Sequence, residues 1–149
     1  MSEATTEQRR GWMGVLARAG AKGILPRLEG APPLPPHSRL RGPEIGLTML
    51  RGRAGGDGAP FNLGEMTVTR CAVRLEDGRV GHAYLAGRDM RGAELAAVLD
   101  AALQDPERRP GLMRAVVDPL AAEQAAAREA SARKAAATRV RFLTMANMR

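Results

Sequence analysis

The spacing of apolar residues changes twice along this chain. Near the start, Trp12, Met13, Leu16 and Ala17 recur at helical spacing behind Thr5-Thr6-Glu7-Gln8. That tetrad is a capping-box pattern, with Thr5 as N-cap and Gln8 three residues on. Gly20 is the predicted stop. A second amphipathic segment runs from Ile24 to Leu28 and ends at Gly30, with Pro26 allowed only in its first turn. The prolines between Ala31 and Pro36 then make a stiff connector, a more economical reading than a proline-rich ligand.

From there the period becomes two. Ile45 to Arg53 reads as a strand, followed by a glycine-rich loop from Ala54 to Pro60. Glu65 to Glu76 is the strongest strand, because Val73 and Leu75 alternate with Arg70 and Arg74. Asp77-Gly78 predicts a two-residue type I′ turn. Such a turn sets Glu76 opposite Arg79, Leu75 opposite Val80, Val73 opposite His82 and Cys71 opposite Tyr84. One face would then carry Cys71, Val73, Leu75, Val80, His82 and Tyr84. The other would carry Arg70, Ala72, Arg74, Gly81, Ala83 and Leu85, small residues beside arginines.

Helical spacing returns at Asp89, a good N-cap for a helix through Ala93, Leu95, Ala96, Leu99, Ala102 and Leu103. Asp105-Pro106 breaks it. A short helix over 111–117 leads to Asp118-Pro119, read as an N-cap with proline at the first helical position. The last helix reaches about Val140, and its middle is almost all Ala, Arg, Glu and Lys. It reads either as an arm laid on another subunit or as a frayed tail. Its end, with Val140, Phe142, Leu143, Met145 and Met148, is apolar enough to anchor in a groove.

The predicted fold is a single α+β domain over 1–149. It has a helical N-terminus (1–30), the connector (31–37) and a small, mainly antiparallel sheet of three to four strands (about 38–87). From residue 89 come helices ending in an extended arm. At 149 residues the chain can bury a real core. Its aromatics are only Trp12, Phe61, Tyr84 and Phe142, so Leu, Val, Met and Ala must fill that core, and a partner is expected to contribute stability. Trp12 reads as a core seal ahead of a partner-facing anchor.

The formal charge is +7, with both ends basic and the middle near neutral. An anionic partner and a compositional bias toward arginine explain this equally; only Lys22 and Lys134 are lysine. Cys71 is the sole cysteine, so no intrachain disulfide forms and a reducing, cytoplasmic location fits. No signal peptide or membrane-length apolar run is present, so no membrane partner is expected.

Catalytic signals are thin. His37 and His82 are the only histidines, which leaves no metal-ligand set of familiar spacing, and His82 reads as a half-buried sheet residue. Cys71 lacks any context for a thiolate nucleophile. Walker A, dinucleotide-binding and nucleophile-elbow patterns are absent. Glu44 and Glu65 flank the glycine-rich loop as acid–base candidates with no fixed separation. No catalytic residue and no metal ligand is assigned. The candidate phosphate or partner contacts are Arg53, Arg70 and Arg88 with Gly55 and Gly56, because glycine amides and guanidiniums suit anions. A plain hairpin loop remains the simpler reading of that stretch.

The chain resembles the PhnG family. The likeness lies in Trp12-Met13-x-Val15-Leu16-Ala17, Glu44-x-Gly46-Leu47, Arg53-x-Gly55-Gly56-x-Gly58, Phe61 and Thr69-Arg70. It continues through Val73-Arg74-Leu75, Asp77-Gly78, Gly81, Gly87-Arg88-Asp89, Ala93-Glu94, Pro119-Leu120 and Arg139-Val140-x-Phe142-x-Thr144-Met145. The order is collinear from Gln8 to Met145; the proline-rich connector is unmatched. The resemblance implies a non-autonomous, cytoplasmic subunit of the bacterial carbon–phosphorus lyase core complex, a hetero-oligomer with H, I, J and L partners. That assembly replaces the adenine of ATP with methylphosphonate. It also implies that this chain binds no cofactor, since the iron–sulfur cluster and S-adenosylmethionine belong to another subunit. A homodimer is an option for the isolated chain. The alternative function is a basic nucleic-acid- or nucleotide-binding module, although neither a zinc finger nor an aromatic RNA-binding motif is present.

Overall fold

The computed structural model describes residues 5–55 and 58–140. Thr5 caps the first helix, α1 (Thr6–Leu28), as its spacing predicts: its hydroxyl accepts the Gln8 N–H at 3.2 Å, and Gln8 Oε1 takes the Thr5 N–H at 3.1 Å. Gly20 kinks α1 rather than ending it, with φ 60° and ψ −169°. The second segment therefore begins at Ala21, and Pro26 lies beyond its first turn. The cost is contained because the helix ends two residues later, at Leu28.

The sheet is antiparallel with order β1-β2-β3: β1 (His37–Gly52), β2 (Phe61–Leu75) and β3 (Val80–Ala86). β1 starts well before the expected Ile45. Its early part crosses Gly42-Pro43 through register shifts between Arg39 and Arg41 and between Arg41 and Glu44. Each bulge inserts a residue and reverses the in–out alternation. Arg39, opposite Val73, faces the helices. Arg41, opposite Ala72, and Glu44, opposite Arg70, both face away from them.

The β2–β3 register differs from the expected one by a single residue. Arg74 stands opposite Val80, Val73 opposite Gly81, Cys71 opposite Ala83 and Arg70 opposite Tyr84. The turn explains the slip. Gly78 has φ 89° while no non-glycine residue among the described ones has positive φ, so Asp77 cannot take the second left-handed position of a type I′ turn. The Gly78 N–H instead bonds the Leu75 carbonyl at 3.0 Å and the Leu75 N–H bonds the Arg79 carbonyl at 2.9 Å, a three-residue loop. A one-residue slip turns every β3 side chain to the opposite face. Gly81, Ala83 and Leu85 thus join Cys71, Val73 and Leu75 in the core, while His82 and Tyr84 are exposed on the other side.

α2 (Met90–Leu103) lies on the inner face of the sheet and is buried without interruption from Leu95 to Leu103. Gly81 allows this: a Cβ there would run into the Ala97 carbonyl and stand 2.7 Å from the Ala101 nitrogen. Asp100, fully buried in α2, accepts Arg9 Nε at 3.0 Å, Arg9 Nη2 at 2.7 Å, Trp12 Nε1 at 2.9 Å and the His82 N–H at 2.9 Å. One carboxylate ties α1, α2 and β3 together, and Trp12 seals the core as expected. Asp89 performs a similar task at the other end. Its two oxygens take the Gly92 and Ala21 N–H groups, both at 2.7 Å, so it caps α2 and the second half of α1.

The last helices are continuous where a break was expected. α3 (Arg109–Leu112), a π turn over Met113–Val117 and α4 (Asp118–Ala137) follow one another, and Asp118 makes no side-chain cap. Pro119 has no N–H to give to the carbonyl four residues back, and the helix widens one turn earlier; the Asp118 N–H reaches back to the Met113 carbonyl. Leu120 and Gln124 fasten α4 to α1, the latter through Val15 and Arg18. Every residue from 131 to 140 is exposed. Phe142, Leu143, Met145 and Met148 lie outside the described residues.

An uncovered hairpin face and a cationic groove

One row of β2 side chains runs from the core into open solvent. Leu75, Val73, Cys71 and Thr69 point at the helices and are buried. The same row continues through Thr67 and Glu65. A register shift between Leu50 and Arg51 then inserts a residue in β2 and turns Leu63 and Phe61, 56% and 49% exposed, to the opposite face with Leu50. β3 ends opposite Val68, so the ladder beyond Thr67 has only two strands. On β1 the matching residues are Ile45, Leu47 and Met49, opposite Thr69, Thr67 and Glu65. Leu47 is 66% exposed. Gly52 makes room for Leu63, whose Cδ1 would be 2.6 Å from a Cβ at that position. The result is an uncovered apolar strip of Ile45, Leu47 and Met49 on one face of the hairpin end, with Leu50, Leu63 and Phe61 bare on the other. Burying a side chain of this size stabilises by roughly 1.5–3 kcal/mol, and such strips mark interaction sites when left bare.

The opposite face of the sheet is cationic near β3. Arg70 Nε donates to Glu44 Oε1 at 2.6 Å, and Arg41 Nη1 lies 3.4 Å from the same oxygen. Gly46 leaves space for the Arg70 guanidinium, whose Nη2 would be 3.8 Å from a Cβ there. Tyr84 stands opposite Arg70 and His82 opposite Ala72, and these side chains with Arg41 line a groove of about 400 Å³. Arg74 projects on the same face, opposite Val80. One carboxylate facing several guanidiniums leaves the groove net positive, which suits an anionic group.

Chemistry on the inner side is already satisfied. Arg39 clamps Glu94 through Nε to Oε1 at 2.7 Å and Nη2 to Oε2 at 2.9 Å, with His37 Nε2 at 3.3 Å from Oε1. The Arg39 hydrogen bonds hold the Glu94 carboxyl below its ordinary range, against the opposing effect of burial. Cys71 is buried, its thiol directed at the Arg41 carbonyl at 3.4 Å, and burial pushes that thiol up. Glu44 and Glu65 project from opposite faces of the ladder and do not form an acid–base pair. Among the described residues no group of three His, Cys, Asp or Glu side chains is placed to hold a metal ion. None of their helices is long and apolar enough to cross a membrane.

The predicted contact residues are scattered. Arg53 and Gly55 sit in the hairpin-tip loop beyond the Gly52–Phe61 pair; Gly56 is outside the described residues. Arg70 is nine positions along β2 from Phe61, about 30 Å at strand rise. Arg88 is exposed in the turn between β3 and α2. Arg53 and Arg70 therefore do not converge on one small ligand. Sequence reasoning missed Arg41 and Tyr84 as groove residues. The signal for Arg41 was Gly42-Pro43 inside a strand pattern, a bulge signature.

Residues 7–147 match the family described as Phosphonate metabolism protein PhnG. A protein of Rhizobium meliloti (strain 1021), named alpha-D-ribose 1-methylphosphonate 5-triphosphate synthase subunit PhnG, is similar to this chain. The two are 43% identical over 143 residues, 96% of this chain and 91% of that protein.

Proposed function

Because the chain belongs to the PhnG family of phosphonate metabolism proteins, we propose that it is a non-autonomous subunit of a synthase making alpha-D-ribose 1-methylphosphonate 5-triphosphate. The observation that carries this reading is the bare strip Ile45–Leu47–Met49, an apolar face that no other described residue covers. A core with one buried aromatic among the described residues and a final helix exposed from residue 131 to its end at Ala137 point the same way.

In the reaction proposed for the complex, the bond between the ribose C1′ and adenine breaks and a bond from C1′ to a methylphosphonate oxygen forms. Adenine leaves with the proton that the phosphonate gives up. ATP is the substrate, and the chemistry resides in partner subunits, because Glu44 and Glu65 face apart while Glu94 and Asp100 are held in ion pairs. Its assigned partners are the H, I, J and L subunits, in the cytoplasm where ATP is available. Iron–sulfur and S-adenosylmethionine chemistry belongs to the J partner, and this chain carries no cofactor. Arg53 and Gly55 would meet the partner beside the strip, and Arg88 would meet it at the β3–α2 turn. Isolated from partners, the same strip would favour a homodimer.

Co-expression of the chain with the H, I and J subunits tests this. Co-elution is expected, with loss of adenine release when the chain is omitted. A chain that elutes alone, while the remaining subunits keep full activity, would overturn the reading.

A further inference from the structure

The free edge of β3 is the second uncovered feature of the sheet. Along an antiparallel strand every other residue turns its backbone groups toward the neighbour, and the residues between turn theirs away. The Arg79 carbonyl accepts the Leu75 N–H, and the Gly87 N–H reaches the Thr67 carbonyl. Gly81, Ala83 and Leu85 therefore bond β2, while Val80, His82, Tyr84 and Ala86 present their backbone groups at the outer edge. One end of that edge is closed by side chains. The Val80 carbonyl accepts Gln104 Nε2 at 2.8 Å and Arg9 Nη2 at 3.3 Å, and the His82 N–H is held by Asp100. At the other end, nothing among the described residues pairs with the outward groups of Tyr84 or the Ala86 N–H.

α1 runs beside this stretch but leaves a cleft of about 200 Å³, with Met13, Gly14 and Ala17 on one wall and Tyr84 and Leu85 on the other. The cleft meets the cationic groove around the edge, since Met13, His82 and Tyr84 border both. Sheet edges are ordinarily guarded by lysine, proline or a bulge. Tyr84-Leu85-Ala86 has none of these.

We propose that this edge receives an extended segment of a partner protein as a fourth strand, its side chains alternating between acidic and small apolar. Main-chain bonds to Tyr84 and Ala86 supply the attachment, as in strand addition generally. The alternation follows from the two sides of the cleft. Side chains turned to the outer face stand beside Tyr84 and Arg70, where Arg41 and Arg70 outweigh Glu44. Those turned inward meet Met13, Gly14 and Ala17, in space that admits only small residues. Charge excludes the nearer occupants. A second β3 brings no acidic residue between Val80 and Ala86, and the chain's own C-terminal segment would bring Arg139, Arg141 and Arg149.

The proposal rests on the subunit reading, and amide hydrogen exchange on the full chain separates the two. In the chain co-purified with the other synthase subunits, the Tyr84 and Ala86 amides are expected to slow about 100-fold or more relative to the chain alone. An active complex in which both amides exchange as in the free chain overturns the added strand and leaves the subunit reading standing. A direct titration needs no complex. The peptide Glu-Ala-Glu-Val-Glu-Ala should shift the Tyr84 and Ala86 amide resonances, and Lys-Ala-Lys-Val-Lys-Ala should bind about tenfold more weakly. Arg70→Glu, on an exposed surface, should reverse that order. Equal responses to the two peptides, or none at millimolar concentration, overturn the proposal.

Discussion

The two ends of the β1–β2 ladder have the same alternation and opposite environments. At the core end, Val73 and Cys71 are 0% and 3% exposed under α2; towards the tip, Leu47 and Met49 lie on the same face of the ladder and are more than half exposed. Nothing in the period-two pattern distinguishes them, because alternation records which face is apolar and not what covers it. The difference is topological. β3 ends at Ala86, opposite Val68, and α2 begins at Met90 and runs back towards Val80, so the hairpin beyond Val68 outruns both. One half of the ladder is a folding core and the other is a surface, and substitutions should separate them.

The largest effect is expected at Asp100. Asp100→Ala removes the buried acceptor of Arg9, Trp12 and the His82 N–H together. Leaving those donors unpaired should cost about 3–5 kcal/mol, read from the urea midpoint of the full chain. A loss below about 1 kcal/mol would mean that water replaces the carboxylate and the core end is not as closed as its burial indicates. Gly81→Ala comes next. The added methyl meets the backbone of α2 at Ala97 and Ala101, and overpacking against main chain should cost about 1–3 kcal/mol. An unchanged midpoint would show that α2 can slide on β3, which would break the contrast between a rigid end and a free one.

These two residues also show what could be read in advance. The α+β order, the Thr5 and Asp89 caps and the burial of Trp12 all follow from local pattern, and the fold bears them out. The β3 faces did not, since a two-residue and a three-residue turn both accommodate Asp77-Gly78 and differ by one step in register. Gly81 was the available clue: in a strand, a glycine marks a place where another backbone approaches closely. With α2 known to pack there, Gly81 had to face inward. The arginines of the candidate site were only partly readable. Arg70 was visible as an outward residue of β2, but Arg41 reaches its side only through the bulge at Gly42-Pro43, and a second shift between Arg39 and Arg41 turns Arg39 back to Glu94. Asp100 carried no local signal, because its partners are 88 and 91 residues away in sequence at Trp12 and Arg9.

A smaller effect is expected from acid. Arg39 holds the Glu94 carboxyl more acidic in the folded chain than in the unfolded one. The stability this contributes is fully present above the ordinary 4.5 and is lost as pH falls through the lower folded value. Glu94→Gln should therefore lower the melting temperature slightly at neutral pH and flatten its decline below 4.5. An unaltered acid limb would remove Glu94 from the account of the core end. Arg39 is exposed, so the effect stays modest by comparison with Asp100.

The smallest effect on folding, and the most informative one, belongs to the tip. Leu47→Ser and Met49→Ser change side chains that already meet solvent, and each should move the urea midpoint by no more than about 0.5 kcal/mol. The same substitutions should reduce co-purification with the partner subunits about tenfold or more, because a partner that buries the strip loses apolar contact at its centre. The two readouts must part company for the comparison to hold. If both variants destabilise the isolated chain as much as Gly81→Ala does, the strip is already packed, against a second copy or the chain's own terminus. If they leave both stability and co-purification untouched, the strip is not the docking face, and assembly would have to run through the β3 edge or the exposed end of α4 instead. Only stability kept and association lost fits a ladder that is core at one end and interface at the other.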